Sequence, residues 1–150
     1  MAFSDLLTVT FVDDEVTAVA ELDTAAAPRT IDRLARALPI EGAAFHGIYS
    51  GSEVACLIPP EIRVPAENAT SRVLPGELAY YAFDGGVFHG FPSDVAELCW
   101  FYDRDATPSM PDGAVAVNLI GRFVDGWEPF AAVCRAMRSE GRKRVRFDRP

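Results

Sequence analysis

The sequence predicts one mainly β domain, an antiparallel barrel, closed or nearly closed, with two covering helices. Three observations point there. About nine short strand-like runs are separated by turn signals, and only two stretches carry helical periodicity. Strands and helices do not alternate along the chain, which argues against a doubly wound parallel sheet. The 150 residues read as a single domain, 1–150. A chain of that size buries roughly 68–70% of its unfolded surface, enough for a core without staples.

Residues 6–11, rich in Leu, Thr and Val, form a strand; Asp13-Asp14 turns it, and residues 15–22 return as its hairpin partner. Residues 28–38 form a helix. Pro28 suits its first turn, Ile31, Leu34, Ala35 and Leu38 make one apolar stripe, and Pro39 ends it. Residues 43–49 and 54–58 are strands joined by a tight turn at Ser50-Gly51, and Pro59-Pro60 stops the pairing. A polar loop, 65–72, leads to Pro75-Gly76. Proline presets φ and glycine accepts a positive φ, so the pair fits a type II turn into a strand at 78–83. Asp84-Gly85-Gly86 predicts a hairpin turn with a return strand at 87–91. Residues 97–102, E-L-C-W-F-Y, are a buried strand, 106–113 a loop, and 115–124 a long strand. A second helix follows at 128–139, with Phe130, Cys134 and Met137 on one face and Gly141 beyond its end. Residues 145–147 are a last short strand.

Apolar residues at 49% and charged residues at 24% are ordinary globular values. No apolar run approaches the ~18 residues of a membrane helix. The first residues lack a basic leader segment, so the expectation is a cytoplasmic protein that does not engage a membrane. Cys56, Cys99 and Cys134 are odd in number and far apart, which reads as three small buried hydrophobes. The net charge of −8 argues against general nucleic-acid binding. The basic end, Arg142 to Arg146, is read as solvent-facing residues around a helix end and a last strand.

Four stretches resemble a known fold. Ala27-Pro28-Arg29-Thr30 opens a helix ending in Leu38-Pro39. Phe45-His46 lies on the next strand with Ser50-Gly51 after it. Pro65-Ala66-Glu67-Asn68-Ala69-Thr70 leads to Pro75-Gly76-Glu77-Leu78, and Asn118 to Arg122 forms a late strand. Together they resemble the cyclophilin-like fold, and within it a bacterial family of uncharacterised cyclophilin-like proteins. Prolyl isomerases of that fold carry an arginine after the phenylalanine-histidine pair, and it polarises the proline amide. Here Gly47 stands in its place, and Ala55-Cys56-Leu57-Ile58-Pro59 replaces the expected glutamine-glycine-glycine segment. The resemblance therefore implies the barrel without its isomerase activity.

The candidate site is a barrel-mouth pocket of Phe45, His46, Tyr49, Glu67, Asn68, Thr70, Tyr80 and His89. Both histidines sit in Phe-His-Gly, where an imidazole can act as acid, base or anion donor; otherwise each is bonded to a carbonyl or water. Glu67, Asn68 and Thr70 either orient a polar ligand or bond their own loop. Tyr80 and Tyr81 face opposite sides, so only one joins a given pocket. Neither a cofactor nor a metal is expected. The first functional reading is a small-molecule binding module. An acid–base hydrolase or isomerase and a non-catalytic peptide or proline binder are the alternatives. A homodimer is expected from the prevalence of two-fold assemblies, with Phe88 and Phe91 as an exposed patch.

Overall fold

The computed structural model describes residues 5–150, and the reading of residues 1–4 as lacking a leader lies outside them. The elements are β1 (Leu6–Phe11), β2 (Val16–Leu22), α1 (Pro28–Ala37), β3 (Ile40–His46), β4 (Glu53–Ile58), β5 (Ala69–Thr70) and β6 (Glu77–Phe83). Then come β7 (Val95–Phe101), β8 (Ser109–Met110), β9 (Gly113–Ala114), β10 (Val117–Asp125), α2 (Trp127–Glu140) and β11 (Lys143–Asp148). The strand order is β2-β1-β11-β3-β4-β7-β6-β10, and a further β2–β10 pairing closes the ring. Every pairing is antiparallel. The fold is thus a mainly β, closed antiparallel barrel of eight strands with two helices. β5 is a short addition to β10, and β8 and β9 form a separate small hairpin.

Alternation along the strands divides the side chains into two clusters. Val54, Cys56 and Ile58 of β4, Leu78 and Tyr80 of β6, and Ala96, Leu98 and Trp100 of β7 point inward. The apolar faces of α1 (Ile31, Leu34) and α2 (Phe130, Ala131, Cys134, Met137) join that interior. Trp100 sits at its centre, edge-on to Phe11, Phe123 and Phe147, with its indole N–H donating to Cys134 Sγ at 3.2 Å. Fully burying side chains of this kind contributes roughly 1.5–3 kcal/mol each. The opposite parity, Ala55, Ala79, Cys99, Phe101 and Val117, forms a smaller cluster on the outside of one wall. The three cysteines are free and buried.

The predicted hairpin at 84–91 does not form. Asp84 to Asp94 is a loop, and the strand that returns along β6 is β7. Strand alternation would send Phe88 and Phe91 to opposite faces. Instead a turn, with Phe91 N–H donating to the Phe88 carbonyl, sets both edge-on against Phe83 at 5.0 and 5.5 Å. Both rings are half-buried, packed in part by the chain itself. β3 begins at Ile40 rather than at residue 43 because Glu41 points outward toward Arg144 and Arg146 of β11 while Ile40 is buried. It ends at His46, which leaves Tyr49 in the following turn. The turn at Pro75-Gly76 does form: Glu77 N–H donates to the Leu74 carbonyl at 3.1 Å, and Gly76 has φ +89. Among the described residues no helix is long and apolar enough to cross a membrane.

Candidate functional site

A cavity of about 280 Å³ opens on the outer face of the wall formed by β3, β4, β7 and β6. Its floor follows from the registers. Ala55 of β4 and Ala79 of β6 stand opposite Cys99 of β7 on either side, and Phe45 of β3 stands opposite Ala55. A row of small side chains therefore runs between two rows of larger ones. On one side are Leu57, Glu97 and Tyr81; on the other, Glu53 and Phe101. Residues 102–116 lie over the second row. They are held there by Thr107 N–H to the Ser50 carbonyl, Tyr102 N–H to the Ser52 carbonyl, and Ser109 N–H to Ser50 Oγ. Phe83, Phe91, Pro108, Met110 and Val115 complete an apolar wall, and Arg142 reaches the rim 5.7 Å above the Phe45 ring.

Two carboxyl groups face this apolar space. Glu53 is buried and Glu97 half-buried, and one oxygen of each lies with Cys99 Sγ in a group no wider than 4.8 Å. Burial pushes the Glu53 carboxyl up to about 7, against the opposing pull of hydrogen bonds with Ser50 and Cys99. Burial, with the charge of Glu53 added, pushes Glu97 up to about 8. The two titrate as a pair near neutrality and so hold a proton that a ligand or a reaction can take. Burial also raises Tyr81, with the charge of Glu97 adding to it, and holds Cys99 as a thiol. A metal ion can bridge donors at this spacing, and it would first have to displace the Cys99 proton. Gly47 is part of this construction. A Cβ there would lie 2.7 Å from Glu53 Oε1, so the glycine makes room for the carboxyl.

The structure brings together only part of the predicted pocket. Phe45 and Tyr49 line the cavity. His46 does not: it is half-buried, with Nδ1 against the Gly47 carbonyl at 2.9 Å and Nε2 against Tyr102 Oη at 2.7 Å. Arg138 Nε donates to the same Tyr102 oxygen, so the phenol proton goes to His46 Nε2 and the imidazole carries its own proton on Nδ1. His89 is exposed on the 84–94 loop. Tyr80 points inward, donating to the Ile62 carbonyl at 2.6 Å and accepting from Val64 N–H at 3.0 Å. Its neighbour Tyr81 takes the cavity position.

Glu67, Asn68 and Thr70 lie across the barrel. β5 pairs with β10, which stands four strands from β3 in either direction around the ring. Glu67 there caps α1, whose own N-cap residue, Ala27, has no side chain to do so. It accepts from Arg29 N–H at 3.2 Å, from Thr30 N–H at 2.9 Å and from Thr30 Oγ1 at 2.8 Å. Asn118 locks the arrangement, accepting from Glu67 N–H and donating to Thr30 Oγ1 and the Pro65 carbonyl. Asn68 donates to the Leu119 carbonyl and borders a larger open cleft of about 460 Å³, whose charged residues are all half-buried or exposed. Thr70 Oγ1 accepts from Arg72 N–H within its own loop.

Sequence reasoning missed Glu53, Glu97, Cys99 and Tyr81 as site residues. The signal was present for one of them. Glu97 is an acid in an otherwise apolar strand, on the same parity as Cys99 and Phe101.

The chain belongs to the family described as "Protein of unknown function (DUF3830)", which matches residues 9–148. Two solved structures are similar. The structure of McbB in complex with tryptophan aligns with TM-score 0.71 and 17% identity over 95% of this chain and 44% of that one. This chain therefore spans less than half of McbB, and the likeness is one of fold. The solution structure of the hypothetical protein AF2241 from Archaeoglobus fulgidus aligns with TM-score 0.62 and 25% identity over 100% of this chain and 98% of that one. No curated protein matches the sequence.

Proposed function

We propose that the chain is a small-molecule binding module whose ligand occupies the outer-face cavity above Glu53 and Glu97. The observation that carries this reading is the pair of carboxyls converging at the floor of an apolar, aromatic-walled cavity. Its volume, about 280 Å³, is near the lower end of the roughly 300–1,000 Å³ typical of ligand pockets, and a few placed polar groups in apolar walls are their usual make-up. McbB, a larger protein part of which has a similar fold, has been solved in complex with tryptophan, and a small-molecule ligand is in keeping with that.

The resemblance of the Pro28 helix, the Phe45-His46 strand and the Pro65–Leu78 segment supports a cyclophilin-like reading of this barrel. On that reading Gly47 takes the place of the amide-polarising arginine, and the space beside it is filled by the Glu53 carboxyl. A carboxyl cannot supply the missing positive charge. A proline-peptide isomerisation assay is expected to show no acceleration over buffer, and turnover like that of a working isomerase would refute the assignment.

The raised carboxyls favour one second reading, an acid–base enzyme in which Glu53 and Glu97 exchange a proton with a small substrate. A thermal-shift screen of metabolites tests both. A ligand that raises Tm for the wild type but not for Ala55→Leu, which fills the cavity floor, supports the site. Recovery of that ligand unchanged supports binding, and its conversion supports the enzyme. A ligand that stabilises both proteins equally binds elsewhere and counts against the proposal.

A further inference from the structure

Within the cavity one polar group is left without a protein partner. Glu53 hydrogen-bonds with Ser50 and Cys99. Glu97, between Leu57 and Tyr81 at the cavity wall, forms no hydrogen bond with any described residue. A carboxyl in apolar surroundings costs free energy unless something answers it. Of its cross-strand neighbours, Leu57 has no polar group, and the phenol of Tyr81, which also borders the cavity, makes no hydrogen bond to it.

Resting on the cavity being a ligand site, we infer that its ligand is an organic amine, with a basic nitrogen between Glu97 and Glu53 and a compact apolar body against Phe45, Tyr81 and Phe83. The spacing favours this class. The nearest carboxyl oxygens fall within 4.8 Å of each other, so one nitrogen placed between them reaches both with charge-assisted bonds of about 2.7–2.9 Å. An alcohol can accept from one carboxyl and donate to the other, but only while the pair keeps a proton, and it brings no compensating charge. A carboxylic acid brings a further negative charge to a pair whose own ionisation is already held back. An ammonium offers several donors and a compensating charge, and its hydrocarbon part meets the aromatic walls.

Arg142 is the one cation among the residues lining the cavity, and it sits at the rim over Phe45. It is placed to answer a carboxylate on the same ligand. Free amines and amino acids with apolar side chains therefore share the chemistry recognised at the floor, and they differ at the rim.

Calorimetric titration of the full chain at pH 7 tests the inference with 2-phenylethylamine, phenylalanine, 2-phenylethanol and 3-phenylpropionate. Each is run in two buffers of different ionisation heat. The amine is expected to bind at least about tenfold more tightly than the alcohol, with the acid weakest. An ammonium drives Glu97 to ionise, so binding should release a fraction of a proton, up to about one, per amine. Glu97→Gln should weaken the amine at least about tenfold and remove the proton release. If phenylalanine binds more tightly than the amine and loses that advantage in Arg142→Ala, the amine is that of an amino acid; if Arg142→Ala changes neither, it is a free amine. Alcohol or acid binding as tightly as the amine, or amine binding unchanged in Glu97→Gln, overturns the amine inference and leaves the cavity as a site. If none of the four binds, the amine inference falls and the cavity reading rests on the metabolite screen; if amine binding is undiminished in Ala55→Leu, the amine sits elsewhere and the cavity reading falls with the inference.

Discussion

On one side of the barrel Glu67 accepts three hydrogen bonds from the start of α1, and on the other Glu97 accepts none. Desolvation acts to raise the pKa of both. At Glu67 the backbone and hydroxyl hydrogen bonds of Thr30, with the N–H and charge of Arg29, outweigh it and hold the carboxyl below its ordinary value. At Glu97 nothing outweighs it, and the charge of Glu53 adds to it. The same side chain thus meets two opposite environments. Where donors converge on a carboxylate, it belongs to the fold. Where a carboxyl is left in an apolar cavity, burial holds its proton on.

Breaking the satisfied side should cost the most. Asn118 is buried and joins the backbones of Glu67 and Pro65 to Thr30 of α1. Asn118→Ala leaves those groups short of partners, and chemical denaturation should show a loss of about 2–4 kcal/mol. A loss below about 1 kcal/mol would mean that water replaces the asparagine and that the knot is not what holds the 65–70 loop.

The unsatisfied side should respond with the opposite sign. The Glu97 carboxyl stands at 4.5 when unfolded and about 8 when folded, so between those values the folded chain holds the proton and the unfolded chain does not. Its contribution to stability is fully present below about 4.5 and is lost as pH rises through about 8. Glu97→Gln removes that titration. It should match the wild type near pH 4.5 and exceed it by about 2–4 kcal/mol near pH 8.5, since each unit is worth about 1.4 kcal/mol and part of the effect is relieved by solvent in the cavity. Equal urea midpoints at both pH values would show that Glu97 titrates like an exposed acid.

Glu67→Gln should act more gently. It keeps an acceptor at the helix start but loses the charge, so a cost of about 1 kcal/mol is expected at pH 7. Because the folded Glu67 stands below its unfolded value of 4.5, its contribution is present above that value and fades as pH falls through the folded one. The difference between variant and wild type should therefore shrink on acidification, as it does for Glu97→Gln, but with the opposite sign, since here the variant is the less stable protein. A difference that does not change with pH would assign the effect to shape rather than charge.

The barrel was legible because strand parity and turn chemistry are local: the Asp13-Asp14 hairpin, the Pro75-Gly76 turn and both helices sit where the sequence indicates. The 84–91 hairpin was not legible, since Asp84-Gly85-Gly86 fits a turn of either kind and the choice lies with Phe83, whose ring draws in Phe88 and Phe91. The cavity was legible only in small part. Phe45 and Tyr49 are at the cavity, but the dense polar motif 67–70 proved to be the helix cap, and Tyr80 rather than Tyr81 was placed in the pocket. Barrel closure decides both. Which wall faces which, and which parity faces outward under the 102–116 cover, depends on pairings between residues far apart in sequence.

The smallest expected effect on stability tests how the site is held open. Gly47 N–H donates to the Glu53 carbonyl at 2.8 Å, and a Cβ at Gly47 would meet Glu53 Oε1 at 2.7 Å and Glu53 Cβ at 3.2 Å. Gly47→Ala therefore presses on the end of a side chain that can rotate, and the backbone bond survives. The cost should stay under about 1 kcal/mol, far less than at Asn118. The displaced carboxyl must then leave its hydrogen bonds with Ser50 and Cys99, which pull its pKa down, or move toward the cavity mouth, where water relieves its burial. These act in opposite directions, so the variant decides between them. Burial is the larger cause of the Glu53 shift, so the expectation is a fall toward 4.5, read from the carboxyl carbon by NMR titration. An unmoved titration at Glu53 would show that Gly47 has no part in placing the carboxyl, and that the glycine is there for the β3–β4 connection alone.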